Sequence, residues 1–314
     1  MNYQGGQAME HLKIIEYFPK RIASSIKNIT FEDVEEIRLR IGQMIEVCAG
    51  RHNLFLPCEG SDDHITLADC REFLERICFH SVYACEPQLR AGYITLPGGF
   101  RIGFAGKVLQ ENSRILRVDE PVSFCIRIAR ECIGCSEPVM HYLVNDENIP
   151  LSTLIISPPG CGKTTLLRDI ARNFSSNVYG GLTSSVCVVD ERSEIAGCWN
   201  GIPQLDLGPR CDVLDNCPKS EGILLALRAL APNVIVCDEL GTDADAVAVG
   251  KALSCGCAVV ATLHGNSPEA LHTRFSESVS GVFSRYLLLS RRNGPGTIEG
   301  IFDENGRIIS DGVW

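Results

Sequence analysis

Residues 154 to 172, LIISPPGCGKTTLLRDIAR, combine a glycine-rich turn with a lysine and a hydroxyl residue, Lys163 and Thr164. That combination suits polyphosphate chemistry. Backbone N–H groups of a glycine-permitted turn face the phosphates, an ammonium neutralises the β and γ groups, and a hydroxyl binds Mg2+. The spacing matches G-x-x-x-x-G-K-[ST] with one departure, Ser157 at the first glycine. A small residue fits at that strand end if its φ is negative, so the departure weakens the pattern more than the chemistry. The candidate nucleotide contacts are Pro159, Gly160, Cys161, Gly162, Lys163, Thr164 and Thr165. Cys161 lies between two loop glycines at a helix start, a setting that lowers thiol pKa and predicts a reactive cysteine.

Hydrolysis of a bound nucleotide also needs carboxylates near the terminal phosphate. Two apolar runs end in them: VCVVDE in Asp190-Glu191, and VIVCDE in Asp238-Glu239. One carboxylate can hold the metal and another can orient or deprotonate the attacking water. Thr164, Asp238 and Asp190 are the candidate metal ligands. Glu239 is the first candidate for the water-activating base, and Glu191 competes with it. A third run, CAVVATLHGNSPEAL, places His264 where a strand passes into a loop. A lone histidine is more often a satisfied structural residue, but this one shares a crevice edge with the acids and reads as a sensor of the terminal phosphate.

These residues need a particular scaffold. From residue 151 onward, STLIIS, SVCVVD, NVIVCD and CAVVAT are nearly continuous apolar runs, as central parallel strands covered on both faces require. Helical patterns separate them: KTTLLRDIARNF, SEGILLALRALA and TDADAVAVGKALSCG. The alternation predicts a doubly wound α/β domain with its ligand crevice at the carboxyl ends of the strands. Ser267-Pro268-Glu269 reads as the start of a further helix. The first 130 residues differ. Short helical patterns (EHLKIIEYF, IASSIKNI), strands EIRLRI and MIEVCA around Gly42, a helical stripe in LADCREFLERICFHSVYAC, a hairpin in GYITLPGGFRIGFAG and a strand in SFCIRIAR predict a smaller α+β domain over 1–130. Residues 131–150 read as a linker, leaving 151–314 for the α/β domain.

Over the 314 residues, 45% hydrophobic and 22% charged, the composition is that of a globular protein. The net charge of −10 offers no overall attraction to nucleic acid or to an anionic membrane. No run of about 18 apolar residues occurs, so no transmembrane segment is expected. The first residues lack the basic start and apolar core of a secretory signal, and a cytoplasmic location is predicted. The 16 cysteines sit mostly inside apolar runs, as Cys187, Cys237 and Cys257 do, where a reduced thiol acts as a small hydrophobe. Cys132 and Cys135 form one C-x-x-C with no second pair, which suits thiols better than a metal site.

In order, the phosphate loop, VVDERSEIAG and LRALAPNVIVCDELGTDADAVAVGKALSCGCAVVATLHGNSPEALHTRF resemble the secretion ATPases of type II and type IV systems. Asp190, Glu191 and Arg192 match that family's acidic box, Glu239 its Walker B glutamate, and Thr262, His264 and Asn266 its histidine box. Besides Ser157, one residue departs: Asp238 stands where those enzymes usually have glycine, which leaves the division of roles among the four acids open. Within the family, PRCDVLDNCPKSEGI and VVDERSEIAG are most similar to a sporulation branch. The resemblance implies a RecA-like ATPase domain, ATP and Mg2+ as ligands, and a homo-oligomeric ring, a hexamer. It further implies docking on membrane proteins of a secretion-like channel, peripheral on its mother-cell face toward the forespore. In such rings the N-terminal domain offers arginines to a neighbour's nucleotide. Arg101 and Arg127 are the candidates, with solvated strand arginines as the plain alternative, and Arg210 is a third. Two other functions compete with the motor: a nucleic-acid-directed ATPase of the same core, and a nucleotide-dependent scaffold with little turnover.

Overall fold

The computed structural model describes residues 13–31, 34–50, 52–81, 85–111, 114–129, 131–176, 183–267 and 282–311. The chain divides into two compact units, Met1–Ala129 and Arg130–Trp314.

In the first unit, a 3₁₀ turn Ile14–Tyr17 and helix α1 (Lys20–Ile26) precede strands β1 (Val34–Arg40), β2 (Ile45–Ala49) and β3 (His52–Leu56). Helices α2 (Leu67–Ile77) and α3 (Glu86–Ala91) follow, then β4 (Tyr93–Leu96), β5 (Phe100–Glu111) and β6 (Arg114–Arg127). The sheet runs β3-β2-β1-β6-β5-β4, every pair antiparallel. Helix α2 starts where Thr66 and Asp69 cap each other's backbone N–H. Its apolar stripe then buries Cys70, Phe73 and Ile77. Phe73 stacks on Phe18 at 5.0 Å and meets Phe124 edge-on, also at 5.0 Å. Alternation along β6 sends Phe124 and Ile126 into this core and Cys125 and Arg127 to the opposite face.

The second unit is built on β7 (Thr153–Ser157), α4 (Lys163–Ser176), β8 (Val186–Asp190), β9 (Cys211–Asp215), α5 (Lys219–Ala229), β10 (Val234–Cys237), α6 (Asp243–Ser254) and β11 (Ala258–His264). Strands β12 (Arg285–Ser290), β13 (Thr297–Asp303) and β14 (Ile308–Ser310) complete it. The sheet order is β14-β13-β12-β7-β11-β10-β8-β9. All strands from β12 to β9 in that order are parallel, and β13 and β14 are antiparallel additions. The apolar runs behave as two-faced strands. Ile155, Val188, Val236 and Val260 pack with Leu166, Leu167, Ile170 and Phe174 of α4 on one face. Their neighbours Leu154, Ile156, Val189, Ile235 and Ala261 pack with Ile223 and Ala226 of α5 and Val249 of α6 on the other. Cys187 and Cys237 are fully buried in this second core. Burial pushes both thiols up to about 12, which makes them inert fillers.

The expected α/β unit with a mostly parallel sheet, preceded by a mixed α+β unit, is the architecture found. Two details depart from the sequence reading. Residues 131–150, read as a linker, pack into the second unit. Val139 and Leu143 are fully buried there, and the Ser136 N–H and hydroxyl donate to Asp169 of α4 at 2.8 and 2.7 Å. Strand β9 was not read from the sequence; at the sheet edge its side chains are only partly buried, so no apolar run marks it. The helix start at Ser267-Pro268-Glu269 falls largely outside the described residues.

Candidate functional site

Strand β7 ends at Ser157 and α4 opens at Lys163, so residues 158–162 form the turn between them. The turn needs Gly160 and Gly162, whose φ angles are +71° and +86°. A Cβ at Gly162 would also lie 3.1 Å from the backbone N of Gly296. Lys163 is 7% exposed. Its three N–H groups are shared among four acceptors: the Ser157 and Pro158 carbonyls at 3.1 Å, the Ser157 hydroxyl at 3.2 Å and His264 Nδ1 at 3.0 Å. Among the described residues Lys163 forms no ion pair within 4 Å. Burial depresses its pKa, against the pull of the Asp238 and Glu239 charges. A buried ammonium held by neutral acceptors beside a glycine turn at the N-terminus of a long helix fits an incoming anion. Ser157 therefore does more than tolerate its position: it supplies two of the acceptors that hold the lysine.

The acids separate into distinct roles. The Thr164 hydroxyl donates to Asp238 Oδ2 at 2.5 Å, and the Thr262 hydroxyl donates to Asp238 Oδ1. Thr262 Oγ1 also accepts the Glu239 N–H at 2.8 Å, so one β11 side chain sets both acids. Glu239 has a φ of +50°, the left-handed region that a non-glycine residue enters at a cost of about 1–2 kcal/mol. This turn brings its carboxylate 3.5 Å from His264 Nε2 and 3.4 Å from Arg192 Nη1. Lys163 donates to Nδ1, so the neutral imidazole carries its hydrogen on Nε2, facing Glu239. Lys163, His264, Glu239 and Arg192 form one continuous polar chain.

Asp190 and Glu191 face other partners. Asp190 is 2% exposed and accepts the backbone N–H groups of Glu194 (3.0 Å), Ile195 (2.9 Å) and Ala196 (2.9 Å). Burial raises it to about 6 despite those hydrogen bonds. Expected as a metal ligand, Asp190 is instead the anchor of the loop that follows β8, with both oxygens committed. Glu191 pairs with Lys219 at the start of α5. It lines a cavity of about 320 Å³ together with Lys219, Asp238, Glu239, Thr242 and Asp245. Thr164 and Asp238 present a hydroxyl and a carboxylate side by side, a fit for a divalent ion that completes its shell with phosphates and water. Among the described residues no group of three or more His, Cys, Asp or Glu could hold a metal by itself.

Three further placements matter. Cys161, expected to be reactive, is 2% exposed and packed with Leu166 and Leu167, so only its backbone is available to a nucleotide. Arg101 and Arg127 belong to the first unit, directly opposite each other on β5 and β6. Arg101 lies over the Tyr93 ring at 4.1 Å, and Arg127, 62% exposed, is 3.8 Å from Glu36. Arg168, which the sequence reading passed over, donates from a buried position on α4 to the Ile195 (2.5 Å) and Glu194 (2.8 Å) carbonyls. It ties the phosphate-loop helix to the loop that Asp190 anchors; an arginine within the apolar face of α4 was its only trace in the sequence.

Solved structures share this fold. The Legionella pneumophila ATPase DotB matches with a TM-score of 0.56 at 14% identity, over 90% of this chain and 74% of its own. The pilus retraction motor PilT with bound ADP matches with a TM-score of 0.57 at 15% identity, over 88% of this chain and 77% of its own. Stage III sporulation protein AA of Bacillus subtilis (strain 168) is 40% identical over 304 residues, 95% of this chain and 97% of that protein. The family described as sporulation stage III, protein AA matches residues 10–309, and the chain belongs to that family.

Proposed function

We propose that the chain is a Mg2+-dependent ATPase that powers a secretion-like complex between mother cell and forespore. The observation that carries this reading is the polar chain Lys163–His264–Glu239 set against the glycine turn and the Thr164–Asp238 pair. Lys163 exchanges its carbonyl and histidine acceptors for the β- and γ-phosphates. Mg2+ held by Thr164 and Asp238 would supply charge neutralisation on the phosphates. Glu239 orients and deprotonates the attacking water, and His264, released from Lys163, reports the terminal phosphate. Glu191, tied to Lys219, is the poorer base. The family is described by a stage of sporulation, and the fold is shared with the ATPase DotB and the pilus retraction motor PilT. We assign the working form to a homo-oligomer, a hexamer, in which Arg101 or Arg127 completes a neighbour's site. It would dock on membrane proteins at the mother-cell cytoplasmic face; among the described residues no helix is long and apolar enough to cross a membrane.

The test is ATPase activity measured against protein concentration, with and without single-stranded DNA, using Lys163→Ala as the blank. Specific activity that climbs as the protein assembles, and that ignores DNA, supports the motor. Stimulation by DNA would favour a nucleic-acid-directed ATPase. Nucleotide binding with turnover no higher than in Lys163→Ala would leave a scaffold.

A further inference from the structure

The turn joining β12 to β13, residues 291–296, lies directly on the phosphate loop. The Gly296 N–H donates to the Cys161 carbonyl at 2.8 Å, and a Cβ at Gly160 would meet Arg291 Nη1 at 3.3 Å. Arg291 is exposed, and among the described residues its side chain forms no hydrogen bond or ion pair. The adjacent Arg292 is held by Glu299 at 3.0 Å. The sheet order gives this turn its side. Strand β7, which delivers the loop, has β11 on one flank and β12 on the other. Everything suited to the terminal phosphate lies on the β11 flank: His264 on β11 itself, then Asp238 and Glu239 after β10. A nucleotide laid along the loop with its terminal phosphate on that flank must carry its nucleoside toward the other, over the end of β12.

We propose that the β12–β13 turn is the nucleoside-side wall of the site, and that Arg291 lays its guanidinium against the base. This rests on the nucleotide reading above and goes beyond it by assigning the base a residue. The phosphates already have the loop N–H groups and Lys163. A planar, weakly hydrated guanidinium on an exposed turn is suited to stack on an aromatic ring, and stacking tolerates the absence of any fixed partner before binding. The carbonyl of Cys161 and the close approach of Gly160 and Gly162 hold the turn against the loop, so the wall is in place before the ligand arrives.

The experiment is calorimetric titration of the full chain with ADP and, separately, with pyrophosphate, for wild type, Arg291→Ala and Arg291→Lys. The wall predicts that Arg291→Ala weakens ADP about tenfold and leaves pyrophosphate unchanged. Arg291→Lys, which keeps the charge and loses the plane, should remain weakened for ADP. Equal weakening of ADP and pyrophosphate would make Arg291 a phosphate contact and overturn the assignment. Unchanged ADP affinity in Arg291→Ala would overturn it too, while leaving the nucleotide site intact. If wild type binds neither ligand, the nucleotide reading fails, and the wall with it. Circular dichroism spectra of the three proteins, expected to coincide because Arg291 is exposed, separate a binding loss from a folding loss.

Discussion

Glu239 is a residue in a costly backbone conformation, and the cost places its carboxylate beside His264 rather than in solvent. Glutamine keeps that shape and removes the base. Glu239→Gln should retain ATP binding and lose turnover by about 10²-fold or more, the usual effect of deleting a positioned base. Glu191→Gln should lose far less, because Glu191 is paired with Lys219. Steady-state kinetics on both variants check this, and a dead Glu191→Gln beside an active Glu239→Gln would reverse the roles. Asp190 makes a different case. Its carboxylate satisfies three backbone N–H groups, so Asp190→Ala leaves buried donors without acceptors and should destabilise the fold by about 3 kcal/mol. The Mg2+ dependence of whatever activity survives should match wild type. A weakened Mg2+ requirement with an unchanged melting temperature would restore Asp190 as a metal ligand.

At the scale of elements, the segment 131–150 is held to α4 by a buried cluster. Asp169 accepts from the Gly134 N–H at 3.0 Å and from Ser136 twice, and Arg172 lies 2.9 Å away. Burial opposes the Asp169 charge, but the hydrogen bonds from Ser136, Gly134 and Arg172 outweigh it and hold the pKa below the usual carboxylate value. A depressed carboxylate adds stability that is complete above its unfolded pKa of about 3.9 and is lost as pH falls through the lower folded value. Asp169→Asn should therefore be less stable than wild type by about 2 kcal/mol at pH 7. The gap should narrow as pH drops below about 4. Denaturant titrations at pH 7 and pH 3 measure both gaps, and a gap that is the same at both would remove the ionised carboxylate from the account. The same segment carries Cys132 and Cys135, and burial pushes the Cys135 thiol well above its ordinary value.

At the scale of the whole molecule, Arg101 and Arg127 are the sequence candidates with the most to gain from a second subunit. The two face each other on adjacent strands, Arg101 over the Tyr93 ring and Arg127 beside Glu36. If either arginine completes a neighbour's site, Arg101→Ala or Arg127→Ala should lower turnover by about 10³-fold with nucleotide binding retained. Mixing an inactive arginine variant with Lys163→Ala should then restore part of the activity, since some interfaces pair an intact loop with an intact arginine. No recovery from folded, co-assembled proteins would confine the arginines to their own subunit.

The parallel strands, the glycine turn between β7 and α4 and the acid-bearing strand ends were legible in the sequence. Each is encoded locally, in an apolar run of five or six residues, a glycine spacing, or a carboxylate next to a strand. The pairing of Asp238 with Thr164 was half legible, since the sequence offered both as candidate metal ligands and only packing put them 2.5 Å apart. Tertiary structure alone decided which acids share a partner. Asp190-Glu191 and Asp238-Glu239 read alike as dipeptides, yet β8 turns the first pair toward its own loop and Lys219, while β10 turns the second toward β11 and the phosphate loop. The same holds for the apparent linker, whose Ser136 finds Asp169 33 residues away, and for the turn 291–296, which meets a loop about 130 residues earlier in the chain. Contacts so far apart in sequence leave no periodicity behind. They exist only because the sheet order sets β12 beside β7, and sheet order is a property of the packed chain rather than of any segment of it.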